Sequence, residues 1–349
     1  MTILLNSKEV ISNGSQQHFL KIVDFLIHEL LGDNFELRSN ITNNDNFRIS
    51  ISGLPSVGKK IYQINYDISL FRILYDILYI VLSNERFFQG IGKSSGAFSI
   101  STIEVPSWAI LDAAMANNKP IFFDKERKEL HDFIYTLCLH FIIRHEIRHI
   151  ANGHIDYLVN IKKNGFVEGF TNGLNSIDSQ TIEMDVDSCV AVGFLNGFLT
   201  VPEQLTHIPI KLQNTESIFE SFLFTLKILF YCLPSKMVSR VQEAEILSHP
   251  NSTLRYFYSF TAGLSYLQEF KPELSELFGR TYQKTWSFFE IIEDQKILNT
   301  NKVWDDYNWS MSDEGQDHAN RIWDNWNQWI PLLKPYAILK LAPPAGAGL

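Results

Sequence analysis

The sequence predicts a predominantly helical α+β fold, and three observations carry that expectation. FRISIS (residues 47–52) and KIYQINYD (60–67) alternate apolar and polar side chains, the period of a half-buried strand. Most of the remaining chain places apolar residues three and four apart, and the long stretch Lys125–Asn152 contains neither Gly nor Pro. Hydrophobic residues make up 45% and aromatics 13%, which supplies a core and excludes a disordered chain.

In order along the chain, Gln16–Leu31 has helical spacing and stops at Gly32. SNITNNDN (39–46) reads as a polar connection. The two alternating segments follow as strands joined by a turn at GLPSVG, and Ile68–Leu82 returns to helix. Ser94–Val105, small and β-branched, reads as an extended strand, after which Pro106 opens a helix. Lys125–Asn152 is the longest helix expected. Asn164–Ser179 is a Gly- and Asn-rich loop, and Gln180–Phe198 is again helical. Further helices are expected at Thr215–Leu233, Lys236–Leu247 and Ser252–Phe270, with one across Trp286. Trp323, Trp326 and Trp329 stand three apart, which fits one helix face packed into a core. The closing LAPPAGAGL has few side chains that could anchor it. Four regions result: an N-terminal α+β region (1–93), a central core (94–270), a Trp-rich helical region (271–335) and a flexible tail (336–349).

A formal charge of −9 and a pI near 5.6 give a surface that repels phosphate backbones, so nucleic acid is not the expected ligand. The first residues lack a basic segment followed by an apolar run, so no signal peptide is expected. Cys138, Cys189 and Cys232 are too far apart for a disulfide framework or a cysteine zinc site, which fits a reducing cytoplasm. No apolar run reaches the ~20 residues of a membrane span. The nearest, Ile218–Leu233, contains Glu220 and Lys227 and reads as a buried helix. GLPSVGKK almost spells a phosphate-binding loop. However, Lys60 stands where Ser or Thr would hold magnesium, and the loop leads into a strand.

The chemistry concentrates in RHEIRHIANGH (144–154). His145-Glu146-Ile147-Arg148-His149 is H-E-x-x-H, and on a helix the two histidines share a face where both imidazoles can bind one zinc ion. Glu146, one step round, can take a proton from a metal-activated water. Ile134, Cys138, Phe141 and Ile142 line the same stripe, so the pair faces the core, where imidazoles and a carboxylate need a partner. Catalytic zinc requires a third protein ligand. Gly and His are absent from the positions of Asn152 and Ile155, which excludes the extended H-E-x-x-H-x-x-G-x-x-H pattern. QTIEMDVDSCVAVGF offers Glu183 as the third ligand. Asp187, one turn later, can accept the ring N–H of a ligand histidine. His154, following Gly153, is expected to cap or pack rather than to ligate.

Taken together, these segments resemble the gluzincin metallopeptidases, most closely the HtpX and CAAX-prenyl-protease type, over about Ser94–Phe270. SGAFSIS is similar to that family's N-A-F-A strand ahead of the active-site helix, with Gly96 in place of Asn. HEIRHIANGH carries H-E-x-x-H with a further His, EMDVD fits E-x-x-x-D, and SHPNSTLR fits H-P-x-x-x-x-R. The resemblance implies a zincin-like core with a small sheet whose edge strand precedes the H-E-x-x-H helix. It implies that His249 lies near the metal and stabilises an oxyanion or ligates transiently, and that Arg255 helps to hold or polarise the site. Membrane helices and export signals of the relatives are missing, which implies a soluble cytoplasmic branch.

The expected function is a zinc-dependent endopeptidase acting on a cytosolic protein or peptide, with His145, His149 and Glu183 on Zn²⁺ and Glu146 as base. Gly96, Ala97 and Phe98 would pair with substrate as an added strand. A cytosolic protease also needs control, so a regulatory partner protein is expected. The alternative is a chain that keeps zinc for sensing or interaction, with His154 or His249 closing the site as fourth ligand.

Overall fold

A computed structural model describes residues 23, 35–42, 49–54, 60–95, 122–162, 174–200, 209–232, 237–295 and 300–343. Apart from Val23, the expected helix at Gln16–Leu31 lies outside them, as do most of the expected strand at Ser94–Val105 and the helix expected after Pro106. The described residues are predominantly helical with a small sheet, as an α+β reading requires.

β1 (Phe35–Thr42), β2 (Ile49–Leu54) and β3 (Lys60–Asp67) form the sheet. β3 is central, parallel to β1 and antiparallel to β2. β2 and β3 are the alternating pair of the sequence: Tyr62, Ile64 and Tyr66 point into the core while Gln63 and Asn65 are half-buried. Lys60 opens a strand, so a phosphate loop is ruled out there. β1 corrects the polar connection expected at 39–46. It is an edge strand exposed from Arg38 to Ile41, and its apolar residues Phe35, Leu37 and Ile41 are spread thinly among polar ones, so the polar stretch from Ser39 masks the strand.

α1 (Ser69–Val81) follows β3 as expected. The two-residue strands β4 (Ser94–Ser95) and β5 (Phe122–Phe123) pair antiparallel just ahead of α2 (Lys125–Ala151). Asp124 caps α2 by accepting from the Arg127 N–H at 2.9 Å, and its other oxygen accepts from the Lys93 N–H at 2.8 Å. α2 is buried on nearly every side from Leu130 to Ala151, so it runs through the interior. It ends where Gly153 adopts φ +81°, and α3 (His154–Lys162) starts at once in a new direction.

α4 (Ser176–Thr200) begins four residues earlier than the sequence suggests and lies against α2. α5 (Thr215–Lys227) continues into a π-helical turn, Ile228–Cys232. The helix expected at Lys236–Leu247 shrinks to the single turn α6 (Val241–Ala244). α7 (Ser252–Phe270) has the expected bounds and packs along α4. The helix expected across Trp286 is two, α8 (Pro272–Lys284) and α9 (Ser287–Gln295). Trp286 sits in the turn between them. α10 (Thr300–Met311) and α11 (Asp313–Leu333) are the last helices of the described residues. Trp326 and Trp329 are buried, whereas Trp323 is 39% exposed and stands at the margin of the expected face.

One hydrophobic core takes in Ile51, Leu130, Leu254, Phe278 and Leu333, residues from each of the first three regions of the sequence division. The expected flexible tail is docked over its first part. The Ile338 and Leu339 N–H groups reach the Ala151 carbonyl at 2.8 and 3.2 Å, and Tyr336 Oη accepts from Asn160 at 2.6 Å. The first two bonds satisfy a carbonyl that the end of α2 leaves open. Residues 344–349 lie outside the described set. Among the described residues no helix is long and apolar enough to cross a membrane. Ile218–Tyr231 is instead largely buried in the core.

A Cβ at position 153 would meet the Ala337 nitrogen and the Tyr336 carbonyl carbon at 2.7 Å, in a backbone region that L-residues rarely adopt. Gly153→Ala is therefore expected to lower stability by about 2 kcal/mol, read from the urea midpoint. An unchanged midpoint would contradict this placement of the tail on the α2–α3 turn.

Candidate metal centre

Helix periodicity brings His145 and His149 to one face of α2, and that face meets the first half of α4. There Glu183 stands opposite them. His145 Nε2 lies 3.3 Å from His149 Nε2 and 3.2 Å from Glu183 Oε2. Glu183 Oε1 lies 3.6 Å from His149 Nε2. All three side chains are buried. Among the described residues this is the set whose donor atoms lie mutually within 4.8 Å and could hold a metal ion.

The orienting groups decide how the donors face. His145 Nδ1 is 3.0 Å from Asp187 Oδ1, and its proton belongs there because the carboxylate can only accept. Nε2 of the neutral ring then presents a lone pair to the triangle. Glu183 Oε2 is near His145 and His249, yet among the described residues no donor meets it in hydrogen-bonding direction. Converging lone pairs on buried atoms need a cation between them. Ligands 2.0–2.1 Å from a tetrahedral zinc stand about 3.3 Å apart, close to the spacings found here. The donor set fits zinc.

Asp187 is the hinge of the site. Arg255, on the first turns of α7, gives it two parallel bonds, Nε to Oδ2 at 2.7 Å and Nη2 to Oδ1 at 2.9 Å. The Arg255 guanidinium also covers the Phe230 ring, its Cζ 4.7 Å from the centroid. Burial pushes the Asp187 carboxyl up, but Arg255 and His145 outweigh it and hold it below the usual range. Burial likewise opposes charge on Glu183, yet the surrounding histidines, His249 first, keep its carboxyl down at about 2. For His145 burial favours the neutral ring, while Asp187 and Glu183 raise its affinity for a proton well above the ordinary value.

His249 Nε2 approaches Glu183 Oε2 at 3.4 Å, and its Nδ1 meets Ser248 Oγ at 2.8 Å. Its side chain is 37% exposed, so it stands at the open margin of the buried triangle. Two anchors fix the turn that carries it. Gln180 on α4 donates to the carbonyls of Ala244 and Leu247 at 2.8 and 3.1 Å. Asp306 on α10 accepts from the Val238 N–H, Asn251 Nδ2, and both the N–H and hydroxyl of Thr253, at 2.7–3.0 Å. Asp306 thereby caps α7 from another helix. Neither anchor was legible in the sequence, since each depends on a distant element.

Of the sequence-derived residues, His145, His149, Glu183, Asp187, His249 and Arg255 all meet here. Glu146 is buried beside them on α2. Gly96, Ala97 and Phe98 lie outside the described residues. His154 does more than cap: it is fully buried, and its Nδ1 lies 3.2 Å from His149 Nδ1. No family model matches this chain, and neither a curated protein nor a solved structure matches it.

Added zinc is expected to raise the thermal midpoint of the wild type, by mass action, and to leave that of His149→Ala unmoved. Equal responses would place the ion elsewhere. Arg255→Met is expected to lower stability by about 2–4 kcal/mol, because Asp187 stays buried without its main counter-charge; chemical denaturation checks it.

Proposed function

We propose that this chain is a zinc-dependent endopeptidase that hydrolyses peptide bonds of a protein substrate. The observation that carries the reading is the buried triangle of His145, His149 and Glu183 with Glu146 next to it on the same helix. Three protein donors leave a tetrahedral ion one position for chemistry, the arrangement of catalytic rather than structural zinc. His249 is not part of the mutually close donor set, which supports an open position over a closed one.

When bound, zinc supplies Lewis-acid polarisation of a carbonyl and lowers the pKa of water. The protein supplies the rest. Glu146 takes a proton from the attacking water and returns it to the leaving amine. His249, half-exposed and anchored through Ser248, can donate from Nε2 to oxygen that becomes negative as the carbonyl is attacked. Arg255 acts through Asp187, keeping it ionised so that it fixes the tautomer of His145. The cytoplasmic setting and the pairing of substrate along Gly96–Phe98 belong to the same proposal.

Glu146→Gln keeps the metal ligands and removes the base. It is expected to retain one zinc per chain while cleavage falls by about 10²–10⁴-fold. Mass-spectrometric mapping of new N-termini in a protein mixture, alongside metal analysis, gives both readouts. A zinc-loaded Glu146→Gln protein that cleaves as fast as the wild type would overturn the proposal.

A further inference from the structure

We infer that His154 and Asp185 are positioning residues for the second ligand histidine, His149, and set which of its ring nitrogens faces the metal. This rests on the zinc reading above. The left-handed Gly153 turns the chain at the end of α2, so His154 starts α3 with its ring 5.3 Å from that of His149. The two Nδ1 atoms stand 3.2 Å apart. Two imidazole nitrogens at that distance need one proton between them.

Only one proton order suits the donor triangle. If His149 offers the Nε2 lone pair to the ion, its proton sits on Nδ1 and is donated to His154 Nδ1. The proton of His154 is then on Nε2, 3.2 Å from Asp185 Oδ2, an electrostatic contact rather than an aligned hydrogen bond. The opposite order would put a proton on His149 Nε2, inside the triangle and 3.3 Å from His145 Nε2, where a cation belongs.

Asp185 is held for this task. Asn152 donates to its Oδ2 at 2.6 Å, and Cys189 Sγ lies 3.6 Å from Oδ1. His154, Asp185 and Asn152 are all at most 1% exposed. Asp185 lies outside the E-x-x-x-D pattern, so nothing in that pattern assigns it a role. Each ligand histidine therefore has its own carboxylate, Asp187 directly for His145 and Asp185 through His154 for His149.

Zinc affinity, measured by chelator competition on the full chain, tests the pair. His154→Leu removes the acceptor and is expected to weaken zinc binding by about 10–100-fold. His154→Gln keeps a carbonyl that can accept from His149 and an amide that can donate to Asp185, and should stay within a few-fold of the wild type. Wild-type affinity in His154→Leu, or equal losses in both variants, overturns the inference. If the leucine variant does not fold, ¹⁵N NMR of the wild type decides. His154 should carry its proton on Nε2, with a coupling across the hydrogen bond between the two Nδ1 nitrogens; a proton on His154 Nδ1 overturns the pair. A wild type that binds no zinc overturns the metalloprotease reading itself, whereas zinc binding that is indifferent to His154 removes only this inference.

Discussion

Three carboxylates lie within one short stretch of α4, and all three are buried: Glu183, Asp185 and Asp187 are at most 4% exposed. Taking each out of water costs several kcal/mol unless something nearby balances its charge or fills its lone pairs. The rest of the interior is arranged around that cost. Asp187 is balanced by the two parallel bonds from Arg255 and one from His145. Asp185 is met by Asn152, His154 and Cys189. Glu183 faces histidines, and two of them must be neutral if their orienting partners hold their protons. Beside His249, it is therefore the carboxylate that a bound cation would balance.

The burial of these carboxylates depends on features remote from the triangle. α2 has to be interior to present its histidines to α4, and its end has to be fixed for His154 to reach back to His149. The docked segment at Ile338 and Leu339 fixes that end by closing the Ala151 carbonyl. α7 has to begin at a set height for Arg255 to reach Asp187, and Asp306 on α10 determines that height. α11 contributes through His318, whose Nε2 lies 2.9 Å from Gln180 Oε1, the residue that orients the turn before His249. The C-terminal helices thus brace the site without entering it.

Much of the site was legible because helical spacing is a local property. His145 and His149, and likewise Glu183 and Asp187, are one turn apart, so their shared faces follow from backbone geometry. The bounds of α7 and the end of α2 at Gly153 were legible for similar reasons, a turn with proline before one and a glycine after the other. What escaped was set by tertiary contact. β1 is an edge strand whose second half is polar and exposed, and the break at Trp286 falls at Thr285–Trp286, where neither Gly nor Pro marks it. The role of His154 was hidden because spacing along a continuous helix places it on the far face, whereas the Gly153 turn brings it back. Asp185 is two residues from both Glu183 and Asp187, so periodicity puts it on a different face, and only the offset position of His154 gives it a partner.

X-ray absorption of the zinc-loaded wild type tests the central claim most directly. The expected result is one zinc per chain in a mixed nitrogen and oxygen shell at about 2.0–2.1 Å, with scattering from two imidazoles that falls to one or disappears in His145→Ala. A shell containing sulfur, or two-imidazole scattering that survives His145→Ala, would contradict a metal centre built from His145, His149 and Glu183.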